Sequence, residues 1–150
     1  MAQFFAIHPD NPQDRLIKQA ADIVRSGGVI VYPTDSCYAL GCKLGDKNAM
    51  ERILAIRKID QKHHLTLMCA DLSELGTYAK VDNAQFRQLK AATPGSYTFI
   101  LQATKEVPNR TLHPKRKTIG LRVPNNATAL ALLQELGEPI LSCTLMLPED

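Results

Sequence analysis

The residues best suited to hold a small polar ligand are Thr34, Asp35 and Ser36, which follow the apolar run Val29-Ile30-Val31-Tyr32 and Pro33. Two hydroxyls and a carboxylate can receive the ammonium and hydroxyl groups of an amino acid, and ligands of open α/β sheets collect at the carboxyl ends of strands. The same segment is equally suited to a tight turn that satisfies its own backbone. Thr118 and Arg122 stand four apart in a strand-like stretch, so both side chains leave one face, where a hydroxyl and a guanidinium can grip a phosphate or carboxylate. The competing expectation there is an exposed strand face.

Other candidate groups carry less chemistry. Lys105, Arg110, Lys115, Arg116, Lys117 and Arg122 crowd a stretch that holds one acid, Glu106, which is a pattern for a polyanion surface. The segment Arg57-Lys58-Ile59-Asp60-Gln61-Lys62 reads as a phosphate loop or as a solvated helix end. His63-His64 are sequence neighbours whose side chains diverge, with no carboxylate or thiol at ligand spacing, so no metal site is expected. Gly41 and Gly45 do not form a phosphate-loop pattern, and no serine stands in a Gly-x-Ser-x-Gly elbow. Cys37, Cys42, Cys69 and Cys143 lie in apolar stretches without a Cys-x-x-Cys pair, and are expected to be buried free thiols.

The elements that must position these groups alternate in type. Phe4 to Ile7 reads as a short strand, followed by a helix capped by Asn11, opened by Pro12 and stopped after Ser26 by Gly27-Gly28. The run from Val29 to Tyr32 has the pattern of a strand buried on both sides. Asp46 caps a second helix, a strand runs from Leu65 to Cys69, Asp71 with Glu74 resembles a capping box, and Asp82 opens a helix that ends before Thr93-Pro94-Gly95. Ser96 to Gln102 and Thr118 to Val123 read as strands, Asn126 caps a helix through Leu136, and Ile140 to Thr144 is the last strand. The expectation is one twisted α/β sheet and no repeat array. Because the chain stops just after a strand, at Leu147-Pro148-Glu149-Asp150, a single domain lacking C-terminal elements is expected.

With 150 residues, 45% hydrophobic and 22% charged, the chain is long enough for one core and has an ordinary globular composition. No apolar run nears the roughly 20 residues that span a bilayer, and no signal-peptide pattern opens the chain. A cytoplasmic location is the expectation. A net charge of +3 is too small to argue for nucleic acid alone, which makes the clustering of the cations the relevant feature.

Taken in order, the segment from Val31 through Thr34-Asp35-Ser36 to Cys42, then Thr93-Pro94-Gly95-Ser96-Tyr97-Thr98, then Ile119-Gly120-Leu121-Arg122-Val123-Pro124, resembles the Sua5/YciO/YrdC family, nearest its YciO branch. The resemblance implies a mostly open α/β sheet of the YrdC/RibB type, with a concave basic surface that binds double-stranded RNA or tRNA. In the well-understood members it also implies synthesis of threonylcarbamoyl-adenylate from L-threonine, bicarbonate and ATP with magnesium, for the t6A modification of tRNA. Carried over by position, Thr34 and Arg122 would face threonine, with Arg122 on its carboxylate. Arg57, His63, Thr118 and Ser142 would face the nucleotide, and Lys105, Arg110, Lys115, Arg116 and Lys117 would face RNA.

The chain departs from the synthase pattern at three places. Where the synthases have Lys-x-Arg after the second helix it has Arg57 and Ile59; where they have asparagine and histidine it offers His63 and Met68; and their Ser-x-Asn reads Ser142-Cys143-Thr144. An aliphatic group in place of a guanidinium forfeits on the order of 2 kcal/mol or more of charged hydrogen bonding. RNA binding with an anion pocket is therefore the leading expectation, followed by a weak synthase and then by a non-catalytic ligand-binding domain.

Overall fold

A computed structural model of the chain describes residues 3–58, 65–112 and 115–144. The chain runs α1 (Asp14–Arg25), β1 (Ile30–Pro33), β2 (Tyr38–Lys43), α2 (Lys47–Arg57), β3 (Thr66–Met68), α3 (Leu72–Tyr78), α4 (Asn83–Ala92) and β4 (Phe99–Gln102). A 3-10 turn at Asn109–Thr111 precedes β5 (Thr118–Arg122), α5 (Ala127–Leu136) and β6 (Ile140–Thr144).

Local chemistry accounts for most helix boundaries. The side chains of Asp46, Asp71, Asp82 and Asn126 each accept the backbone N–H of the residue three positions on, at 3.0, 2.8, 2.7 and 3.0 Å, which satisfies one of the donors a helix start leaves open. Asp82 and Gln85 complete a reciprocal capping box. At Asp71 the expected box is displaced, because Glu74 accepts from Ala70 rather than from the cap residue. Gly137 ends α5 at φ 71°, a left-handed conformation that favours glycine.

The six strands form one open mixed sheet in the order β1-β2-β6-β3-β5-β4. Only β3 and β5 pair in parallel; the other neighbours are antiparallel. Alternation of side chains then sorts the sheet into two faces. On one, Leu40, Cys42, Leu67, Leu141, Ile119 and Leu121 pack with Met50, Ile53, Leu75 and Leu89 from the helices. On the other, α1 and α5 bring Ile17, Ala20, Ala129, Leu132 and Leu133 onto Tyr32, Ala39, Met68 and Ile140. That second cover sits over β1, β2 and one end of β6 and β3. Farther along, the same face carries Ser142, Thr66, Thr118, Gly120 and Arg122.

Several sequence expectations need correction. Phe4 to Ile7 forms no strand: Phe4 is 92% exposed, while Phe5 and Ile7 pack as irregular chain against the second core cluster. The first helix starts at Asp14 after Gln13, which makes no side-chain cap, so neither Asn11 nor Pro12 opens it. The β1 run is an edge strand paired only with β2, with Val31 54% exposed, so continuous apolarity here does not mean burial on both sides. The strand placed at Ser96 to Gln102 begins only at Phe99. Cys37 is exposed, whereas Cys42, Cys69 and Cys143 are buried and free as expected; burial pushes the Cys42 thiol up to about 12.

Gly41 fixes how closely β1 and β6 approach across β2. A Cβ there would lie 2.7 Å from both the Tyr32 ring and Ile140 Cγ2. Replacing Gly41 by alanine should therefore overpack the covered face and lower stability by about 1–3 kcal/mol in urea unfolding.

Candidate functional site

Between β1 and β2 the chain reverses through Thr34, Asp35, Ser36 and Cys37. Thr34 N–H donates to Cys37 O at 3.0 Å, closing the turn. The Thr34 hydroxyl donates to Cys37 O at 2.5 Å and accepts from the backbone N–H groups of Ser36 and Cys37 at 3.2 and 3.1 Å. The tight-turn reading of this segment therefore holds, and the turn follows the end of β1. Its neighbour β2 had no counterpart among the elements expected from sequence.

At the carboxyl end of β5 the Arg122 guanidinium is buried, its side chain only 6% exposed, which rules out the open strand face considered for this position. Arg122 Nη2 donates to Asp35 Oδ1 in an ion pair, and Nε donates to Gly95 O at 3.1 Å. Asn126, at the start of α5, donates from Nδ2 to Thr34 O at 3.4 Å while its Oδ1 caps the helix. Three stretches far apart in sequence meet at this point: the 34–37 turn, the loop at Gly95, and the segment from the end of β5 to the start of α5.

Beside this charged end lies a row of short side chains. The strand register sets Gly41 opposite Ser142, Ser142 opposite Thr66, Thr66 opposite Gly120, and Gly120 opposite Ile100. Two residues before Gly120, Thr118 is buried on the same face. Gly120 lets its neighbours pack closely, since a Cβ there would come within 3.1 Å of Thr66 Oγ1 and the Thr98 methyl. Ser142 Oγ shares a hydrogen bond with the Tyr32 hydroxyl beneath α1 and α5. Burial pushes the Tyr32 phenol well above its usual range, opposed only in part by that hydrogen bond and by the charge of Arg122, so it stays neutral.

The structure therefore brings Thr118, Arg122 and Ser142 to one sheet face, with Arg122 tied through Asp35 to the turn that holds Thr34. Arg57 is half-buried as the last residue of α2. His63 lies outside the described residues. Of the basic group, Lys105 and Lys117 line a cleft of about 310 Å³ beside the 3-10 turn that carries Arg110. Lys115 and Arg116 are exposed next to it, and Arg116 O accepts from Gln102. A further cleft, of about 380 Å³ with Arg25, Lys43 and Asp46 in its wall, lies at the end of β2 remote from the 34–37 turn.

Sequence reasoning missed the roles of Asp35 as the partner of Arg122, of Tyr32 as the partner of Ser142, and of Thr66. One signal was available. The caps of α2, α3 and α4 are aspartates, whereas α5 uses asparagine, whose amide supplies a donor that an aspartate lacks. Among the described residues no three His, Cys, Asp or Glu side chains gather as metal ligands, and no helix is long and apolar enough to cross a membrane.

Comparison with known proteins matches residues 22–150 to the Sua5/YciO/YrdC family model, described as telomere recombination. The chain is 69% identical over 148 residues to the uncharacterized protein YciO of Escherichia coli (strain K12), an alignment spanning 99% of this chain and 72% of that protein. The crystal structure of E. coli YciO superimposes at a TM-score of 0.97 with 68% identity, over 100% of this chain and 73% of that one. A threonylcarbamoyl-AMP synthase of Chromobacterium violaceum is 37% identical over 135 residues, 89% of this chain and 69% of the synthase. P. abyssi Sua5 complexed with L-threonine superimposes at a TM-score of 0.81 with 27% identity, covering 89% of this chain and 39% of that one.

Removing Asp35 would leave the buried Arg122 guanidinium uncompensated. Asp35→Ala should lower stability by about 3–5 kcal/mol in urea unfolding. The Asp35→Ala/Arg122→Ala double variant should lose clearly less than the sum of the single losses.

Proposed function

The chain belongs to the Sua5/YciO/YrdC family, and from that premise we propose that it binds a threonine-like amino acid together with an adenine nucleotide. Its chemistry would be that of a threonylcarbamoyl-AMP synthase with a reduced capacity to activate ATP. The observation that carries this reading is the junction of the buried Arg122–Asp35 pair with the row of hydroxyls on the same sheet face. A guanidinium held in place can receive a carboxylate in a fixed orientation. The likeness to a Sua5 structure that holds L-threonine supports the same ligand class.

In this reading Arg122 takes the amino acid's carboxylate, with the 34–37 turn against its remaining polar groups. Thr118, Thr66 and Ser142 offer hydroxyls to the nucleotide, with Ser142 held in one rotamer by Tyr32. A threonine carbamate would attack the α-phosphate of ATP, forming the new P–O bond as pyrophosphate leaves with its magnesium. Juxtaposition of the two reactants is the main thing such a site supplies.

The donor set suits a nucleotide in its hydroxyls and falls short in charge. Asp35 already neutralises Arg122, which leaves Arg57 among the family's positions to face the phosphates, while Ile59 stands where the synthases carry a second cation. The deficit of about 2 kcal/mol or more corresponds to roughly thirtyfold or more in rate.

Incubation with L-threonine, bicarbonate, ATP and magnesium should release pyrophosphate in a threonine-dependent manner, slowly in the native protein and at least about tenfold faster in Ile59→Arg. Release no greater than that of an Arg122→Ala control that still folds would refute the synthase reading.

One observation favours a second role. The connection between β4 and β5 gathers Lys105 and Lys117 around one cleft, with Arg110, Lys115 and Arg116 beside it, and such clustering suits the phosphates of double-stranded RNA or tRNA. Binding should then weaken steeply with salt, and joint replacement of Lys115, Arg116 and Lys117 by alanine should weaken it evenly across sequences. In a filter-binding titration, affinity that is absent or flat in salt rules this role out.

A further inference from the structure

We infer that the cleft beside the 3-10 turn seats one unpaired nucleotide of an RNA, its base on the apolar floor and its phosphate between Lys105 and Lys117. The inference rests on the RNA reading above and narrows the partner from duplex in general to RNA that offers a base outside a duplex. The cleft is separate from the site at Arg122. Lys117 precedes β5 and Arg122 closes it, which sets the two about 16 Å apart along the strand. The floor of the cleft belongs to the core on the opposite face of the sheet from Ser142 and Thr66.

Shape and chemistry select the occupant. The cleft encloses about 310 Å³, near the lower end of the roughly 300–1,000 Å³ of small-ligand sites, which suits one nucleotide and not a run of them. Val107 and Leu112, 3% and 6% exposed, form its floor, and apolar surface of this kind favours covering by the face of a base. The exposed Asn109 amide at the rim offers a donor and an acceptor to a base edge. The Thr104 hydroxyl donates to Thr77 O at 2.8 Å, so it serves a ligand only as an acceptor. A duplex keeps its bases stacked and presents backbone and groove edges, so no base face of it reaches the floor.

Charge places the phosphate. Among the described residues neither Lys105 nor Lys117 has a carboxylate within ion-pair distance, and Glu106, the nearest acid in sequence, is exposed and lies outside the cleft wall. Two lysines without a counter-charge in one concave wall attract a phosphate. Lys117 adopts a left-handed backbone conformation, φ 55°, that residues with a side chain seldom take. Ala103 N–H donates to Lys117 O at 3.2 Å and Gln102 Nε2 donates to Arg116 O at 3.1 Å, so β4 and the residue after it fix the bend that sets Lys117 in the wall.

Fluorescence-anisotropy titration of the native protein at one salt concentration tests this with two RNAs matched in phosphate number. One is a blunt duplex of about 16 base pairs, and the other is a shorter duplex with an unpaired 3′ overhang. The overhang RNA should bind at least about tenfold more tightly. Lys105→Ala combined with Lys117→Gly, a residue that suits the left-handed backbone, should bring the two affinities within about twofold of each other. Lys105→Arg combined with Lys117→Arg should keep the preference; thermal unfolding confirms that each variant folds.

Equal binding of the two RNAs by the native protein overturns the inference and leaves the RNA reading standing. So does a preference that survives Lys105→Ala/Lys117→Gly unchanged, since the unpaired nucleotide is then held elsewhere. Failure of the native protein to bind either RNA overturns the RNA reading and the inference with it.

Discussion

A guanidinium buried at the end of β5 needs a counter-charge, and meeting that need ties the site together. Arg122 draws Asp35 toward it from the opposite part of the sheet and takes the Gly95 carbonyl on its Nε. Asn126 fastens the same turn to the start of α5. The β1–β2 reversal is therefore pinned from two sides, and the segments around it are positioned by the electrostatics of one side chain. Such a pair adds little to stability compared with a well-packed apolar substitute, yet losing one member is costly. That asymmetry is what keeps the turn in a single arrangement.

The rest of the face follows from how the sheet is covered. Helices α1 and α5 bury the apolar side chains over β1, β2 and the Ile140–Met68 end, while past Ser142 and Thr66 the side chains become short and polar. Glycine at 41 admits the Tyr32 ring, and glycine at 120 admits the close approach of Thr66 and Thr98.

Much of this was legible in the sequence where the cause is local. The strand Ile140–Thr144 and the caps at Asp46, Asp71, Asp82 and Asn126 stand where residue chemistry placed them, because a cap needs only its own first turn. Thr118 and Arg122 share a face, as a period of two requires. What escaped depends on distant partners. Asp35 and Arg122 are 87 residues apart, and no spacing rule joins them. The apolar run of β1 resembles a central strand, but whether a strand is central is decided by its neighbours, and β1 has one. In β2, Gly41 and the apolar residues on both sides of it hide the alternation that marks a strand. Phe4 to Ile7 has the composition of a strand but lies against α1 and α5 without a pairing partner.

The proposed amino-acid end of the site is tested most directly by a complex with L-threonine. In a crystal structure grown with L-threonine, the account predicts density for its carboxylate within about 3 Å of the Arg122 guanidinium. Threonine bound elsewhere on the chain, or bound at this place with its carboxylate away from Arg122, would contradict it.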